Sequence, residues 1–350
     1  MTARTDGVPV PVLVAMSGGV DSSVAAALLV EAGHDVTGVT LRLWGGDTDS
    51  GCCSVADVED ARRVAAQLGI PHYVLNLSDR FDEAVVAPYV AAHASGQTPN
   101  PCVECNRTIK FGALLDRAEQ LGFTTIATGH HARVRGDADA GWELWRGTDD
   151  AKDQSYVLYM LGQQELARTR FPVGEMTKAE VRAHATRLGL RTAEKPESMD
   201  VCFVRREDRL AFVDARAGTS PGNVVGTDGR VLARHGGVSH FTIGQRRGLG
   251  VAAGAPRYVV DVAASTATVT IGSRDELLRS RIPVRDLTWV RDRGPGDRVL
   301  DVQTRAHGVP VPGRVDGSSV ALAAPVPRVA PGQVVAFYDG PALVGGGIAA

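Results

Sequence analysis

No stretch of this 350-residue chain reaches 18 consecutive apolar residues, and nothing near its N-terminus has the charged-then-apolar build of a secretory signal. The expectation is a cytoplasmic protein with no membrane partner. Cysteine is scarce and odd in number, five in all. In a long chain without a secretion signal this argues against a disulfide scaffold and leaves catalysis or metal binding as the commoner uses of a thiol. Lysine is missing altogether from residue 200 onward: the 19 basic residues there are all arginine, against 14 acidic ones, whereas residues 1–199 carry 19 basic and 26 acidic. The formal net charge of −2 therefore hides a balance of −7 followed by one of +5. A basic half beside an acidic one suggests a polyanionic partner on one face. With no low-complexity segment, no usable repeat, 44% hydrophobic and 22% charged residues, the composition is that of an ordinary globular protein of two or three domains.

The most informative segment that is present reads Ala15-Met16-Ser17-Gly18-Gly19-Val20-Asp21-Ser22-Ser23. It follows the apolar run Val12–Val14 and precedes the helical pattern Val24–Val30. A strand, a glycine turn and a helix start make an anion site, because the backbone approaches closely and unpaired N–H groups and the helix dipole favour phosphate. The blander reading is a plain glycine-rich turn; two glycines, serines and an acid converging on one helix start speak against it. Lysine is absent here too, so this is not the Walker A loop, which ends in Gly-Lys-Ser/Thr. The segment resembles instead the SGGxDS loop (PP-loop) of ATP-dependent adenylating enzymes. That resemblance implies attack at the α-phosphate of ATP, AMP left on a substrate oxygen, and release of pyrophosphate.

Strand and helix patterns alternate over residues 1–200, which predicts a Rossmann-like parallel sheet covered on both faces, an α/β domain. Val36–Trp44, His72–Leu77 and Thr124–Thr128 read as strands; Val55–Leu68, Phe81–Ala94, Asn106–Leu121 and Thr177–Leu188 read as helices, the last with a capping box from Thr177 and Glu180. Both the SGG turn and Gly129-His130 fall at strand carboxyl ends, where such sheets bind ligands. After residue 200 helical periodicity largely fades and short strands with turn punctuation take over, as in Arg257–Val262, Thr266–Ile271, Arg298–Gln303 and Gln333–Tyr338. This predicts a small β-rich domain over 201–282 and a β-barrel over 283–350, with the boundary near Pro283.

The second strong feature is Thr98-Pro99-Asn100-Pro101-Cys102-Val103-Glu104-Cys105-Asn106. The prolines hold the approach extended, and Cys105 then falls at a predicted helix start, where a thiolate is favoured. A redox pair is one reading of Cys102 and Cys105, and buried structural thiols are the bland one. A zinc ribbon needs a second CxxC or a histidine pair, and neither is present. Cys202, at the end of the α/β pattern, reads on its own as a packed core thiol. Cys52 and Cys53 receive no role.

Six ordered motifs then carry a specific resemblance: the loop Ser17–Ser23; Asn100-Pro101 with Cys105-Asn106 and Ile109-Lys110-Phe111; Ala127 to Arg133; Lys152-Asp153-Gln154-Ser155-Tyr156; Cys202-Phe203; and Phe241 to Gly250. Together they resemble the bacterial tRNA-specific 2-thiouridylase family, from about residue 10 to the end. The resemblance implies replacement of the C2 oxygen of the wobble uridine by sulfur, in tRNAs for Lys, Glu and Gln. Adenylation makes that oxygen a leaving group, and a sulfur nucleophile then adds at C2 and AMP departs. It implies Cys202 as the persulfide carrier, charged through a relay fed by a cysteine desulfurase. Cys105 is then the assisting nucleophile, ending in a disulfide with Cys202. It implies ATP and Mg²⁺ at Ala15, Met16, Ser17, Gly18, Gly19, Val20, Asp21 and Ser22, with Leu41 and Gly129 close by. Asp21 is read as positioning Mg²⁺ or the loop. It implies tRNA contacts at Asn100, Pro101, Cys102, His130, Lys152, Asp153, Gln154, Arg305 and Gln333.

The chain departs from the family in one clear place: Cys102 stands where well-known members carry an aspartate, a candidate general base. The change also produces three thiols, Cys102, Cys105 and Cys202, that would suit an iron–sulfur cluster if they converged. Ala306 replaces an aromatic neighbour of Arg305. Competing readings are a PP-loop amide- or guanidine-forming ligase, which needs no paired cysteines, a non-catalytic RNA- or metal-binding protein, which needs no α-phosphate loop, and a persulfide carrier that never meets RNA.

Overall fold

The structure is a computed structural model and describes residues 10–44, 54–196, 201–252 and 254–350. Cys52, Cys53 and residues 197–200 of the Cys202 motif lie outside the described residues.

The first domain is a five-stranded parallel sheet. Its strands are β1 (Pro11–Ala15), β2 (Asp35–Arg42), β3 (His72–Asn76), β4 (Thr125–Ala127) and, after an intervening hairpin β5 (Ala132–Asp137) and β6 (Gly141–Arg146), β7 (Thr169–Arg170). The order across the sheet is β3-β2-β1-β4-β7. β1 and β4 are largely apolar and buried, and β2 is buried from Val36 to Leu41 with Thr37 and Thr40 inside, as strands covered on both faces are. The covering helices begin and end on local signals. Val55–Leu68 starts on a Ser54–Asp57 capping box and stops at Gly69 in the left-handed conformation. Lys178–Arg187 starts on the Thr177–Glu180 box, as the sequence predicts.

Two expectations need correction here. The helix around the paired cysteines starts at Pro101, not at Cys105. Asn100 caps it by accepting the Cys102 N–H, and proline fits the first position of a helix. The helix runs on through a wider π-helical stretch, Cys105–Ala113, to Gln120. Cys105 is thus in the second turn, and Cys102 holds the first-turn place. Helical structure also continues past residue 200, in Arg209–Ala217, whose Phe212 and Val213 join the core of the first domain.

Beyond that helix, four strands (222–226, 231–235, 258–263 and 268–272) form a small sheet over Val224, Val259, Val269 and Ile271. Six further strands close into a barrel when the first, Leu278–Trp289, pairs with the last, Ala342–Ala349; closure removes exposed edges. Pro283 lies inside that first strand, opposite Ser319.

The hairpin β5–β6 does not serve its own domain's sheet. It adds to the barrel through Leu144 opposite Leu343 and Trp145 opposite Ala342. At its end, Arg146 binds the buried Asp153 at 3.0 Å and the Gln303 side chain at 2.7 Å, and its guanidinium lies 3.5 Å over the Tyr338 ring. Asp153 also accepts from the Gly147 and Ser155 N–H groups and the Ser155 hydroxyl. A buried carboxylate left without its cation is costly, about 3–5 kcal/mol. Arg146→Ala is therefore expected to lower the thermal midpoint on the order of 10 °C, and Arg146→Lys to recover only part, since an ammonium cannot serve both partners and stack. Calorimetry showing no loss in Arg146→Ala would remove this knot from the account.

Candidate active site

The strand order turns one way from β1 through β2 to β3 and the other way through β4 to β7. Connections leaving the neighbouring carboxyl ends of β1 and β4 therefore diverge, and a crevice opens between them. The SGG loop leaves β1 and Thr128-Gly129-His130-His131 leaves β4. A Cβ on Gly129 would lie 2.6 Å from the Ser22 nitrogen and 2.7 Å from the Asp21 carbonyl carbon, so only glycine lets the two loops touch. Gly18 has φ +73°, and a Cβ there would sit 2.2 Å from the Asp57 carbonyl oxygen. The loop is braced from within. The Ser17 N–H donates to Ser22 Oγ, and the Ser22 and Ser23 hydroxyls donate to the Gly19 carbonyl. Gly19 caps helix Val20–Glu31 without a side chain, which suits first-turn amides for an anion.

One cleft of about 730 Å³ unites this loop with most of the residues singled out from sequence. Ser17, Gly19, Val20, Asp21 and Ser22 line one part; Asn100, Pro101, Cys102, His130, Lys152, Asp153 and Gln154 line another; Gln333 reaches in from the barrel. Ala15, Met16 and Leu41 are not in that lining. Met16 and Leu41 are buried behind it, and Ala15 is packed on the same core as Leu41. Arg305 lies instead with Gln333 in a second groove of about 330 Å³, against Thr242 and Ile243. Gln333 donates to the Thr98 carbonyl and the Thr98 N–H donates to the Pro331 carbonyl, so the barrel holds the extended approach to Asn100. Asp153 borders the cleft with its oxygens already engaged as above, and Gln154 exchanges bonds with the His131 backbone.

The charged groups are ordered by these contacts. Asp21 accepts from Lys178 Nζ at 2.7 Å on both oxygens and from His131 Nε2 at 3.2 Å. Burial raises its pKa, but the His131 and Lys178 bonds and charges outweigh that, and the carboxyl titrates below its ordinary value. His130 is held neutral, well below its ordinary pKa, by burial and then by the charges of Lys110 and His131. Lys110 Nζ can only donate to His130 Nε2, so the Nδ1 proton points to Thr128 Oγ1 at 2.6 Å. Sequence reasoning assigned no role to Lys178, His131, His93 or Arg209, all of which line the cleft. His131 stood within the motif Ala127 to Arg133 and Lys178 at the first position of a capped helix, whereas His93 and Arg209 carried no such signal.

Cys102, Cys105 and Cys202 are present as thiols. Cys102 borders the cleft. Cys105 is buried in the main apolar core, and Cys202 packs against that same core beside Phe203, whose ring meets those of Trp44, Phe81, Tyr89 and Phe212. Among the described residues, no three or more Cys, His, Asp or Glu come together in a way that could hold a metal ion. The three thiols therefore do not fit an iron–sulfur cluster in this arrangement.

Profiles described as the tRNA methyl transferase HUP domain, the tRNA methyl transferase PRC-barrel domain and the aminomethyltransferase β-barrel domain match residues 10–206, 210–273 and 279–349. The chain is 49% identical over 348 residues to a tRNA-specific 2-thiouridylase of Chloroflexus aggregans, covering 96% of this chain and 97% of that one. It is 48% identical over 346 residues to the 2-thiouridylase of Salinispora tropica, covering 95% of each. The chain belongs to the tRNA-specific 2-thiouridylase family. It has the family's α/β, PRC-barrel and β-barrel architecture, with the PP-loop of an ATP-using domain. No helix among the described residues is long and apolar enough to cross a membrane.

Two outcomes follow for this family member. Gly129→Ala must push the Asp21–Ser22 backbone away, and titration calorimetry is expected to show ATP affinity reduced about tenfold or more, on the order of 1.4 kcal/mol; unchanged affinity would mean that the loops yield freely. His93 is buried, and burial followed by the Arg209 charge lowers its pKa to about 4. Between its ordinary value of 6.5 and about 4 the unfolded chain takes up a proton that the native chain refuses. Stability is thus full above pH 6.5 and falls on acidification, by roughly 2 kcal/mol at pH 5. His93→Gln should narrow the gap between thermal midpoints at pH 7.5 and pH 5; an identical gap in both proteins would contradict this.

Proposed function

We propose that this cleft carries out ATP-dependent 2-thiolation of the wobble uridine of tRNA, in the cytoplasm, with tRNAs for Lys, Glu and Gln as substrates. The observation that carries the reading is that the PP-loop, Ser17–Ser22, and the cysteine-bearing turn, Asn100–Cys102, line the same cleft, with Gln333 of the barrel at its border. A nucleotide α-phosphate and a splayed-out base can therefore be held against each other, which is how enzymes reach an atom otherwise inside a base stack.

ATP is held by the loop Ser17–Ser22 through the first-turn amides of the helix that opens at Val20, and the base by Asn100, Pro101 and Cys102, with His130, Lys152 and Gln154 beside it. The uridine O2 attacks the α-phosphate, pyrophosphate leaves with the bonding pair, and the N3 proton is released as the adenylate forms. Mg²⁺ accompanying ATP would meet Asp21 as the loop's carboxylate and would supply charge neutralisation for the phosphates. Cys202 receives sulfur as a persulfide from a desulfurase-fed relay. The terminal sulfur is delivered to C2 while Cys105 attacks the inner sulfur; AMP departs, N3 regains its proton, and a Cys105–Cys202 disulfide remains for a reductant to reopen. No step passes through an iron–sulfur cluster.

The test is incubation of the protein with unmodified tRNA, ATP, Mg²⁺, cysteine and a cysteine desulfurase, then digestion of the tRNA and mass detection of 2-thiouridine. Cys105→Ser and Cys202→Ser are each expected to abolish product while ATP affinity stays within about twofold. Pyrophosphate release that needs a small amine acceptor rather than tRNA, and is indifferent to both substitutions, would replace this reading with a ligase.

A further inference from the structure

The PP-loop has no lysine of its own, yet a pyrophosphate leaving group needs cations preorganised where its charge develops. The fold brings one from 157 positions away. Lys178 lines the cleft with Ser17–Ser22, its side chain is 13% exposed, and its ammonium spans both oxygens of Asp21 at 2.7 Å. Its backbone is fixed as well. It opens helix Lys178–Arg187 behind the Thr177–Glu180 box, and its N–H donates to Asp149 at 2.9 Å. Lys178 thus pairs with the loop's own carboxylate at the border of the cavity a ligand would enter.

We propose that Lys178 is the phosphate-binding cation of the site: when ATP enters, its ammonium exchanges the Asp21 carboxylate for β- and γ-phosphate oxygens and then stabilises the departing pyrophosphate. This rests on the ATP-dependent reading above and deepens it. The exchange leaves Asp21, still bonded to His131, free to face the Mg²⁺ that accompanies the nucleotide. Bond making is unchanged: O2 of the uridine joins the α-phosphorus, the bond to the bridging oxygen breaks, and the electron pair leaves on pyrophosphate beside Lys178. A compact ammonium suits a triphosphate as a point charge.

The test compares Lys178→Met and Lys178→Arg with the parent protein for binding of ATP, inorganic pyrophosphate and AMP by titration calorimetry, together with tRNA-dependent pyrophosphate release. In Lys178→Met, ATP and pyrophosphate affinities are expected to fall about 10- to 100-fold, the range for losing a charge-assisted contact. AMP affinity should stay within about twofold, and Lys178→Arg should recover most of the loss. An equal fall for ATP and AMP would make Lys178 a mere brace, and no fall for either would detach it from the nucleotide; both overturn the proposal. Should the parent protein bind no ATP, or release pyrophosphate without tRNA, the functional reading itself fails, and the variants are not needed to see it.

Discussion

The carboxylate of Asp153 is the point on which three parts of the molecule depend. It is 4% exposed, and a buried charge persists only where its lone pairs are met. Here two backbone N–H groups, a serine hydroxyl and a guanidinium meet them. The backbone partners, Gly147 and Ser155, bracket the loop that presents Lys152 and Gln154 to the cleft. The guanidinium, from Arg146, bonds Gln303 and stacks on Tyr338 of the barrel, and the Ser155 hydroxyl lies 3.0 Å from the Tyr338 hydroxyl. Loop shape, hairpin position and barrel orientation are thereby set by one charge-balanced cluster. This explains how Asp153 belongs to the site without an oxygen to spare for a ligand.

The cleft is assembled from ends, not from a single element. The loop after β1, the loop after β4, the first turn of the helix at Pro101 and the barrel turn at Gln333 converge because the sheet reverses its winding between β1 and β4. Each wall is tied to its neighbour by backbone: Gly129 against Asp21 and Ser22, Thr98 against Pro331, Gln154 against His131. Backbone ties hold the walls in register, and side chains such as Asn100, Lys152 and Lys178 border the cleft from them.

How much of this was legible depended on the range of the cause. The SGG loop, the Thr177–Glu180 box and the stop at Gly69 are local, and the structure carries them as written. The start of the cysteine helix was misread because Pro101 was taken as holding an extended approach, when Asn100 followed by proline is also an N-cap and first-position pair. The hairpin β5–β6 had no readable destination, since its partners Ala342 and Leu343 lie some two hundred positions on. Lys178 illustrates the same limit: a capping box marks where a helix begins but does not say which carboxylate its first side chain will meet.

The rear of the PP-loop adds a physical link between the two halves of the chemistry. Gly18 abuts the Asp57 carbonyl so closely that no side chain fits. The Asp57 carboxylate, with Asp60, grips Lys195 at 2.6 and 2.7 Å. Burial disfavours the Lys195 charge, but the two carboxylates more than offset this and raise its pKa, so the pairing persists across the neutral range. Arg182 binds the Ala193 and Lys195 carbonyls from the helix that begins with Lys178. Lys195 is thus an anchor between the helix Val55–Leu68 behind the nucleotide loop and the helix carrying Lys178. Asp57 therefore serves both the close contact behind Gly18 and the pair with Lys195, which couples the back of the nucleotide loop to the end of the described stretch 54–196.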